Sequence, residues 1–355
     1  MGYPSLEIDL SKIRLNTEYL VNLCSKHTIE IMGVAKGVCA SLPIVKAMLS
    51  GGIKKLGDSR IQNIRALKEA GINVPMYLIR IPMPSELEEV INWSDGSLNS
   101  EIEVIKAISH KARLNDKLHK VILMVDVGDL REGIMPDDVL DVAGQILACP
   151  GVELEGLGTN VGCYGGIIPS MENTQILIDL ARDIEKRYGI TMKTLSGGNT
   201  ATFNILEKNN LPQGINQFRT GEAILLGTDV TNNRVIPGTY QNTMILKTEV
   251  IEIKVKPSYP MGEMGLDAFG NIPIIVDKGL MKRAIVALGR QDCKIDGLTP
   301  IDPTIQIIGA SSDHLLLDVT NSAGVALGSI IEFKLSYGAM LSLSTSSYVE
   351  KTFRS

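Results

Sequence analysis

The chain has 355 residues, of which 44% are hydrophobic and 4% aromatic, and its formal net charge is −5. A chain of this length and hydrophobic content can build two globular domains. Its lysines and arginines form no basic stripe, so we expect no nucleic-acid partner. No run reaches the roughly 18 apolar residues of a membrane span. The charged N-terminus also lacks an apolar signal region, so we predict a soluble, cytoplasmic protein without membrane contact.

The five cysteines and four histidines are dispersed along the chain. An odd number of cysteines without Cys-x-x-Cys spacing argues for reduced thiols and against a zinc site. We therefore predict no metal site.

Strands and helices alternate through the first two thirds of the sequence. Residues 6–10 read as a short alternating strand, and a helix with Ser11 at its cap follows. Apolar strand-like runs then alternate with helical segments for about eight units of roughly 25 to 30 residues each. This pattern predicts an α/β fold, a (β/α)8 TIM-type barrel over residues 11–228 that closes near Gly227.

The pattern of hydrophobic and polar residues changes after Thr228. Alternating strand-like runs follow one another with turn residues between them and no convincing helix. We predict a smaller all-β domain over residues 229–355. The strand within residues 1–10 precedes the barrel, so we expect it to join this second domain.

The first predicted barrel strand, residues 29–35, runs directly into Lys36. Burying an ammonium group costs several kcal/mol unless it is paired or gives up its proton. Desolvation of this kind lowers the pKa of a lysine and frees its amine as a nucleophile. The alternative is a side chain that extends into solvent at the strand end.

Two glycine-bearing turns follow the late predicted strands, SGGNT at residues 196–200 and RTGE at residues 219–222. Glycines let backbone amides approach an anion, and a capped helix start favours a phosphate. An ordinary strand-to-helix turn would use the same residues. In a barrel that also buries a lysine, however, the turns fit pyridoxal 5′-phosphate, which needs an amine partner and a phosphate anchor.

Seven segments, taken in order, resemble those of a known family. They are LEIDLSKIRLN, VAKG, VDVGDLREG, GLGTN, GGNTA, RTGEAILLG and IGASSDHLLLDV. The chain resembles the alanine-racemase-type (fold type III) enzymes that use pyridoxal 5′-phosphate, and among them the ornithine racemase branch. The resemblance runs nearly end to end. It implies a homodimer in which the β domain of one copy completes the active site of the other.

Matching positions imply the cofactor contacts. Lys36 would hold pyridoxal 5′-phosphate through its amine and act as one acid/base group at Cα of the substrate. Arg219 would face the pyridine nitrogen, and because an arginine cannot accept a proton, that nitrogen would stay unprotonated. Arg131 would lie near the phenolic oxygen; surface ion pairs are the alternative for both arginines. The other implied cofactor-binding residues are Asn160, Ser196, Gly197, Gly198, Asn199, Thr200, Gly221, Thr345 and Tyr348.

The chain departs from the family where a catalytic tyrosine is expected on the opposite face of the cofactor. The matching turn here contains Phe269, which cannot carry a proton. Asp267 lies two residues earlier and would share the face of Phe269 in an extended segment. We rank Asp267 first as the second acid/base group, with Tyr259 close by. A hairpin-turn aspartate is the alternative, and Asp267 could instead bind the side-chain amine of a basic substrate.

The resemblance also implies the substrate contacts and the reaction. The substrate-binding residues would be Ser311, Ser312, Asp313 and Arg290. We expect a racemase of a basic amino acid, with ornithine ranked first and lysine, arginine, alanine or serine as alternatives. A fold type III amino-acid decarboxylase is a second reading, against which Arg219 counts. A non-catalytic protein that binds pyridoxal 5′-phosphate is a third, against which the β domain counts.

Overall fold

The computed structural model describes residues 2–355, which form two compact units. The first unit is Ser11–Gln241. The second combines the N-terminal segment up to Leu10, including strand β1 (Ser5–Asp9), with Asn242–Ser355. Residue 1, which falls in the predicted N-terminal segment, lies outside the described part of the chain.

Eight parallel strands close into a barrel in the first unit. Strand β9 returns to β2, with Met32 opposite Arg219, so that the sheet has no free edge. The predicted (β/α)8 barrel is confirmed. Its strands are β2 (Glu30–Val34), β3 (Lys55–Asp58), β4 (Met76–Leu78), β5 (Gly96–Asn99), β6 (His119–Met124), β7 (Val152–Gly158), β8 (Thr194–Ser196) and β9 (Gln217–Thr220).

Helices separate these strands as the hydrophobic periodicity indicates. Helix α1 (Leu10–Ser25) precedes the barrel and buries Ile13, Leu20 and Cys24. The longest helix begins at a capping box formed by Ser170 and Asn173. The helices after α1 are α2 (Leu42–Ser50), α3 (Ile61–Glu69), α4 (Leu87–Trp93), α5 (Ile102–Leu114), α6 (Val139–Leu147), α7 (Met171–Tyr188), α8 (Phe203–Glu207) and α9 (Glu222–Leu226).

Large side chains from four barrel strands pack together. Met32, Tyr77, Leu98, Ile122 and Met124 form one buried cluster. A barrel filled in this way is a packed core rather than a pore, so chemistry in this fold takes place at the carboxyl ends of the strands.

A short hairpin extends the barrel unit beyond the predicted boundary at residue 228. Strands β10 (Thr228–Asp229) and β11 (Arg234–Val235) pair with each other. The backbone N–H of Ile236 then donates to Gly227 O at 2.9 Å. These bonds tie residues 228–241 to the barrel unit, so the unit ends at Gln241 rather than at residue 228.

The second unit is built on an eight-stranded sheet. The N-terminal strand β1 lies between β12, to which it is antiparallel, and β18, to which it is parallel. The remaining strands are β12 (Met244–Pro257), β13 (Leu280–Val286), β14 (Leu298–Pro300), β15 (Gln306–Ala310), β16 (Leu315–Asp318), β17 (Ile330–Leu335) and β18 (Glu350–Arg354).

This unit also contains a helix that the sequence reading missed. Helix α10 (Tyr337–Thr345) follows Ser336, whose hydroxyl accepts a hydrogen bond from Ala339 N. The segment has no charged residue and mixes apolar with hydroxyl-bearing residues, so its sequence shows no clear polar face of the kind that marks an amphipathic helix. The predicted second β domain is confirmed, and it contains one helix beside its sheet.

Within residues 2–355, no helix is long and apolar enough to cross a membrane. The same residues contain no cluster of three or more His, Cys, Asp or Glu side chains that could hold a metal ion.

Asn16 of α1 anchors the C-terminal part of the barrel unit. Its buried amide donates to Ile224 O at 3.1 Å and to Tyr240 O at 2.9 Å, and it accepts from Tyr240 N at 2.7 Å. We expect Asn16→Ala to lower the free energy of unfolding by about 2 to 4 kcal/mol, because it leaves buried backbone groups without partners. Urea unfolding followed by circular dichroism measures this loss.

Asn22 lies on the same helix and is exposed, so Asn22→Ala is the matched control. We expect it to change the unfolding free energy by less than about 0.5 kcal/mol. Equal effects of the two substitutions would show that the Asn16 bonds contribute no more than helix propensity.

Candidate active site

Lys36 lies at the carboxyl end of the barrel. Strand β2 ends at Val34, and Lys36 begins a 3₁₀ turn, Lys36–Val38, instead of directly following a strand through residue 35. The turn is followed by Cys39 and Ala40, whose φ angles of 50° and 51° reverse the chain sharply. The side chain thus leaves the barrel wall where the strand hydrogen bonds stop.

The surroundings of Lys36 favour its neutral amine. The side chain is partly buried, and this burial lowers the pKa of Lys36. The positive charges of Arg131 and Arg219 act in the same direction, whereas Cys163 and Asp58 oppose the shift. A lysine with a lowered pKa is a better nucleophile at neutral pH, because more of its amine is unprotonated.

Arg219 is held inside the barrel rather than in a surface ion pair, and it is only 6% exposed. Its Nη1 donates to Ser196 Oγ at 2.5 Å and its Nη2 donates to Thr159 O at 2.6 Å. Burial lowers the pKa of Arg219 to about 10. The guanidinium therefore stays charged at neutral pH and can donate hydrogen bonds but not accept them.

The two glycine-bearing turns lie side by side. Gly198 has a φ of 130°, a conformation that favours glycine, and a Cβ on Gly197 would lie 2.5 Å from a side-chain carbon of Ile215. Thr200 connects the turns, because its Oγ1 accepts a hydrogen bond from Ala223 N at 3.2 Å. Asn199 caps the short turn that follows, with its Oδ1 accepting from Ala201 N at 2.9 Å.

Several amides in these turns have no acceptor. Within residues 2–355, the backbone N–H groups of Gly198, Asn199 and Gly221 make no hydrogen bond. Clustered free amides of this kind form a concave site for an anion. The donors fit a phosphate group.

Asn160 and Arg131 lie in contact at this end of the barrel. With the amide oxygen of Asn160 turned toward the guanidinium, it accepts from Arg131 Nη1 at 3.1 Å. Arg131 also pairs with its neighbour Glu132. Next to them, Asn199 Nδ2 donates to Val161 O at 2.8 Å and lies 3.4 Å from Cys163 Sγ. The structure thus brings together all the predicted cofactor-binding residues that lie in the barrel unit.

Asp129 supports this arrangement, and the sequence reading did not single it out. Its carboxylate is 1% exposed and accepts hydrogen bonds from the backbone of the loop after Asn160. The donors and their distances are Gly162 N (3.1 Å), Cys163 N (3.3 Å), Tyr164 N (3.0 Å), Gly165 N (3.1 Å) and Ile167 N (3.4 Å). Asp129 lies within the motif DVGDLREG, but its spacing gives no sign of a partner more than 30 residues away.

Three of the predicted catalytic and substrate residues meet in the β domain. Asp267, Arg290 and Ser311 line a cavity of about 570 Å³, together with apolar side chains of residues 274–276. Tyr259 is 42% exposed and is not part of the lining of this cavity.

Asp267 has the hydrogen bonds of a turn aspartate. Its Oδ1 accepts from Phe269 N at 2.9 Å and from Asn271 N at 2.8 Å. These bonds, above all that from Asn271, lower the pKa of Asp267. The side chain is therefore ionised at neutral pH. The ring of Phe269 lies 5.1 Å from the Arg290 guanidinium.

The other predicted residues in the β domain contact their own neighbours. The hydroxyls of Ser311 and Ser312 donate to Asp313 Oδ1 at 3.4 and 3.1 Å. Thr345 Oγ1 donates to Ser342 O at 2.9 Å within α10, and Tyr348 is 74% exposed.

The chain is similar to amino-acid racemases over nearly its full length. Residues 8–229 match the family described as alanine racemase, N-terminal domain. A lysine racemase of Thermotoga maritima is 44% identical over 353 residues, 99% of each chain. An ornithine racemase of Acetoanaerobium sticklandii is 41% identical over 351 residues, 98% of this chain and 99% of the relative.

A solved structure shows the same fold at lower identity. The alanine racemase of Clostridium difficile 630 has a TM-score of 0.78 and 16% identity, covering 100% of this chain and 96% of the other. The family match covers well over half of the chain, and both racemase relatives align over nearly its full length. The chain therefore belongs to the alanine racemase N-terminal domain family, the fold type III barrel enzymes.

Proposed function

We propose that the protein is a racemase that uses pyridoxal 5′-phosphate to interconvert the L and D forms of a basic amino acid. The observation that carries the proposal is the placement of Lys36, Arg219 and the two glycine-bearing turns at one end of one barrel. Ornithine is our first candidate from the sequence motifs. Lysine stands beside it, because the relatives at 44% and 41% identity are a lysine racemase and an ornithine racemase.

The residues at the barrel mouth fit the cofactor. Lys36 supplies an amine with a lowered pKa, and the free amides of Gly198, Asn199 and Gly221 supply donors for a dianionic phosphate. When bound, pyridoxal 5′-phosphate supplies an electron sink that makes the Cα–H bond of an attached amino acid acidic.

The side chains of the barrel have distinct roles in this proposal. Lys36 holds the cofactor and, once released, takes or returns the proton at Cα on its own face. Arg219 keeps a positive, purely donating group beside the cofactor ring, since its contacts with Ser196 and Thr159 fix the guanidinium. Arg131 would donate to the phenolic oxygen of the cofactor, and Asn160 would accept from the Arg131 guanidinium.

A racemase of this type needs a second proton-carrying group on the other face of Cα. Asp267 and Tyr259 remain our candidates in the β domain. The lowered pKa of Asp267 keeps its carboxylate ionised, which suits it to attract the side-chain ammonium of a basic substrate, although it makes the carboxylate a weaker proton acceptor. The phenol of Tyr259 suits the donation of a proton. Arg290, Ser311, Ser312 and Asp313 would contact the substrate, and Thr345 and Tyr348 would add to the phosphate site.

We also propose that the protein is a homodimer in which the β domain of one copy completes the site of the other. We expect sedimentation equilibrium of the holoprotein to give twice the mass of one chain. A mixture of Lys36→Ala chains with Asp267→Ala, Tyr259→Phe chains should recover activity, because mixed dimers contain one intact site. A monomeric and fully active protein would contradict this arrangement.

The function is tested by exchange of the Cα hydrogen in deuterated water. We expect lysine and ornithine to incorporate deuterium at Cα at least about tenfold faster than alanine, together with formation of the opposite enantiomer. Mass spectrometry and chiral chromatography measure both. An achiral amine as product would instead identify a decarboxylase, and no exchange with any basic amino acid would favour a protein that only binds the cofactor.

Lys36→Ala is the matched control in that experiment. We expect it to abolish exchange and the visible absorbance that the cofactor acquires on attachment to a lysine. A variant that retained this absorbance would show that another lysine holds the cofactor.

Asp129 is predicted to affect cofactor binding through the loop after Asn160. We expect Asp129→Ala to weaken the binding of pyridoxal 5′-phosphate, because the loop after Asn160 loses the acceptor of its backbone amides. The expected loss is about tenfold or more in affinity, which corresponds to about 1.4 kcal/mol. Amide hydrogen exchange at residues 162–167 should become faster, since their acceptor is gone. Asp137 is exposed and lies downstream in the same loop region, so Asp137→Ala is the control. Faster exchange with unchanged cofactor affinity would limit Asp129 to a purely structural role.

A further inference from the structure

Asp58 is a buried carboxylate at the carboxyl end of β3, and the proposed reaction gives it no role. It is 2% exposed. Its Oδ1 accepts from Arg60 N at 2.9 Å and from Asn63 Nδ2 at 3.0 Å. Its Oδ2 is buried and has no hydrogen-bond partner within residues 2–355. A buried carboxylate oxygen without a partner is costly, so its presence here calls for an explanation.

One of the two barrel strands that pair with β3 leads to Lys36. Strands β2 and β3 pair in parallel, with Val34 opposite Gly57, and Ala35 N donates to Gly57 O at 3.0 Å. Lys36 and Asp58 therefore leave the barrel wall next to each other, one residue beyond these contacts. The other neighbour of β3 is β4, which is followed by Arg80. The guanidinium of Arg80 pairs with Glu86 at 3.0 Å, and its Nε is buried without a hydrogen-bond partner within residues 2–355.

The charges of Asp58 and Lys36 act on each other. Burial raises the pKa of Asp58 to about 6, against hydrogen bonds from Arg60, Asn63 and Ser59 that lower it. The positive charge of Lys36 adds a smaller lowering. In return, Asp58 raises the pKa of Lys36. The remaining charged or titratable groups acting on Lys36 are Cys163, Arg131 and Arg219.

The other two buried aspartates at this end of the barrel bind backbone instead. Asp126 Oδ1 accepts from Gly128 N at 2.8 Å and from Leu130 N at 3.1 Å. Asp129 accepts from the backbone of the loop after Asn160. Asp58 differs from both in having a carboxylate oxygen without a hydrogen-bond partner, on the strand next to the one that leads to Lys36.

We propose that Asp58 is a positioning residue that acts through Lys36, with its unpartnered carboxylate oxygen serving as the counter-charge of the Lys36 ammonium group. The proposal rests on the proposed role of Lys36 as the reactive amine. It adds a residue outside the cofactor contacts and gives a function to a carboxylate oxygen that is buried without a hydrogen-bond donor.

The counter-charge matters because a racemase uses one lysine in both directions. Lys36 must take the Cα proton from one enantiomer and return it when the other is the substrate. Burial and two arginines push the amine toward its neutral, weakly basic form. Asp58, like Cys163, limits this shift, so that the amine remains basic enough to hold the proton it removes.

A simpler role for Asp58 would be to begin helix α3 through its bonds to Arg60 and Asn63. Asp58→Asn separates the two roles, since the amide oxygen still accepts both hydrogen bonds but carries no charge. Asn63→Ala is the complementary control, because it removes one of those bonds and leaves the charge in place.

The experiment titrates Lys36 in the cofactor-free protein. The rate at which fluorodinitrobenzene modifies Lys36 is measured against pH by mass spectrometry of the peptide that contains it. We expect the midpoint to fall by about one pH unit in Asp58→Asn, the effect of losing a nearby opposite charge. We expect no change in Asn63→Ala. An unchanged midpoint in a folded Asp58→Asn variant would overturn the proposal.

A reciprocal measurement covers the case in which Asp58→Asn does not fold. Coupling between two sites is mutual, so Lys36→Met should raise the pKa of Asp58 by the same amount. Carboxylate ¹³C resonances of the cofactor-free protein report this titration, and an unchanged pKa would refute the coupling. Neither measurement uses an amino-acid substrate. The coupling can therefore fail while racemisation is observed, or hold while racemisation is absent.

Discussion

The active-site proposal depends on the partial burial of one amine, that of Lys36, at the open end of the barrel. Burial disfavours the ammonium form, and the two neighbouring arginines add to that effect. The parallel barrel makes this placement possible, because its closed hydrogen-bond network holds Met32 of β2 opposite Arg219 of β9. The lysine, in the turn that follows β2, and the arginine, within β9, thereby reach the same rim.

Sequence patterns predicted much of this arrangement for physical reasons. The barrel follows from the alternation of strand and helix periodicities, which is a local property of the chain. Lys36 and the glycines at 197 and 198 come within two residues after a strand, and Arg219 comes one residue before the end of β9. Strand ends in a parallel barrel share one rim. The positive φ of Gly198 and the cap at Asn199 are also local, so residue types alone indicate them.

What the sequence could not indicate depends on distant partners. Asp129 owes its role to amides more than 30 residues away, and Asp58 owes its importance to a missing donor, which no spacing reveals. The sequence did not indicate helix α10 because its residues show no amphipathic pattern. The hydrogen bonds of Asp267 to Phe269 and Asn271 favour the turn reading that its sequence context left open, although they do not prevent it from facing a ligand.

Three buried aspartates at the rim, Asp58, Asp126 and Asp129, differ in the hydrogen bonds that their carboxylates accept. Asp126 accepts hydrogen bonds within a tight turn, from Gly128 and Leu130, and Asp129 binds the loop that follows β7. In both, backbone amides bind the carboxylate oxygens. Asp58 is bonded through one oxygen only, so its charge remains available to the neighbouring strand end. Since an uncompensated buried charge is destabilising, a carboxylate left in this state is best explained by the ammonium form of Lys36, whose charge it offsets.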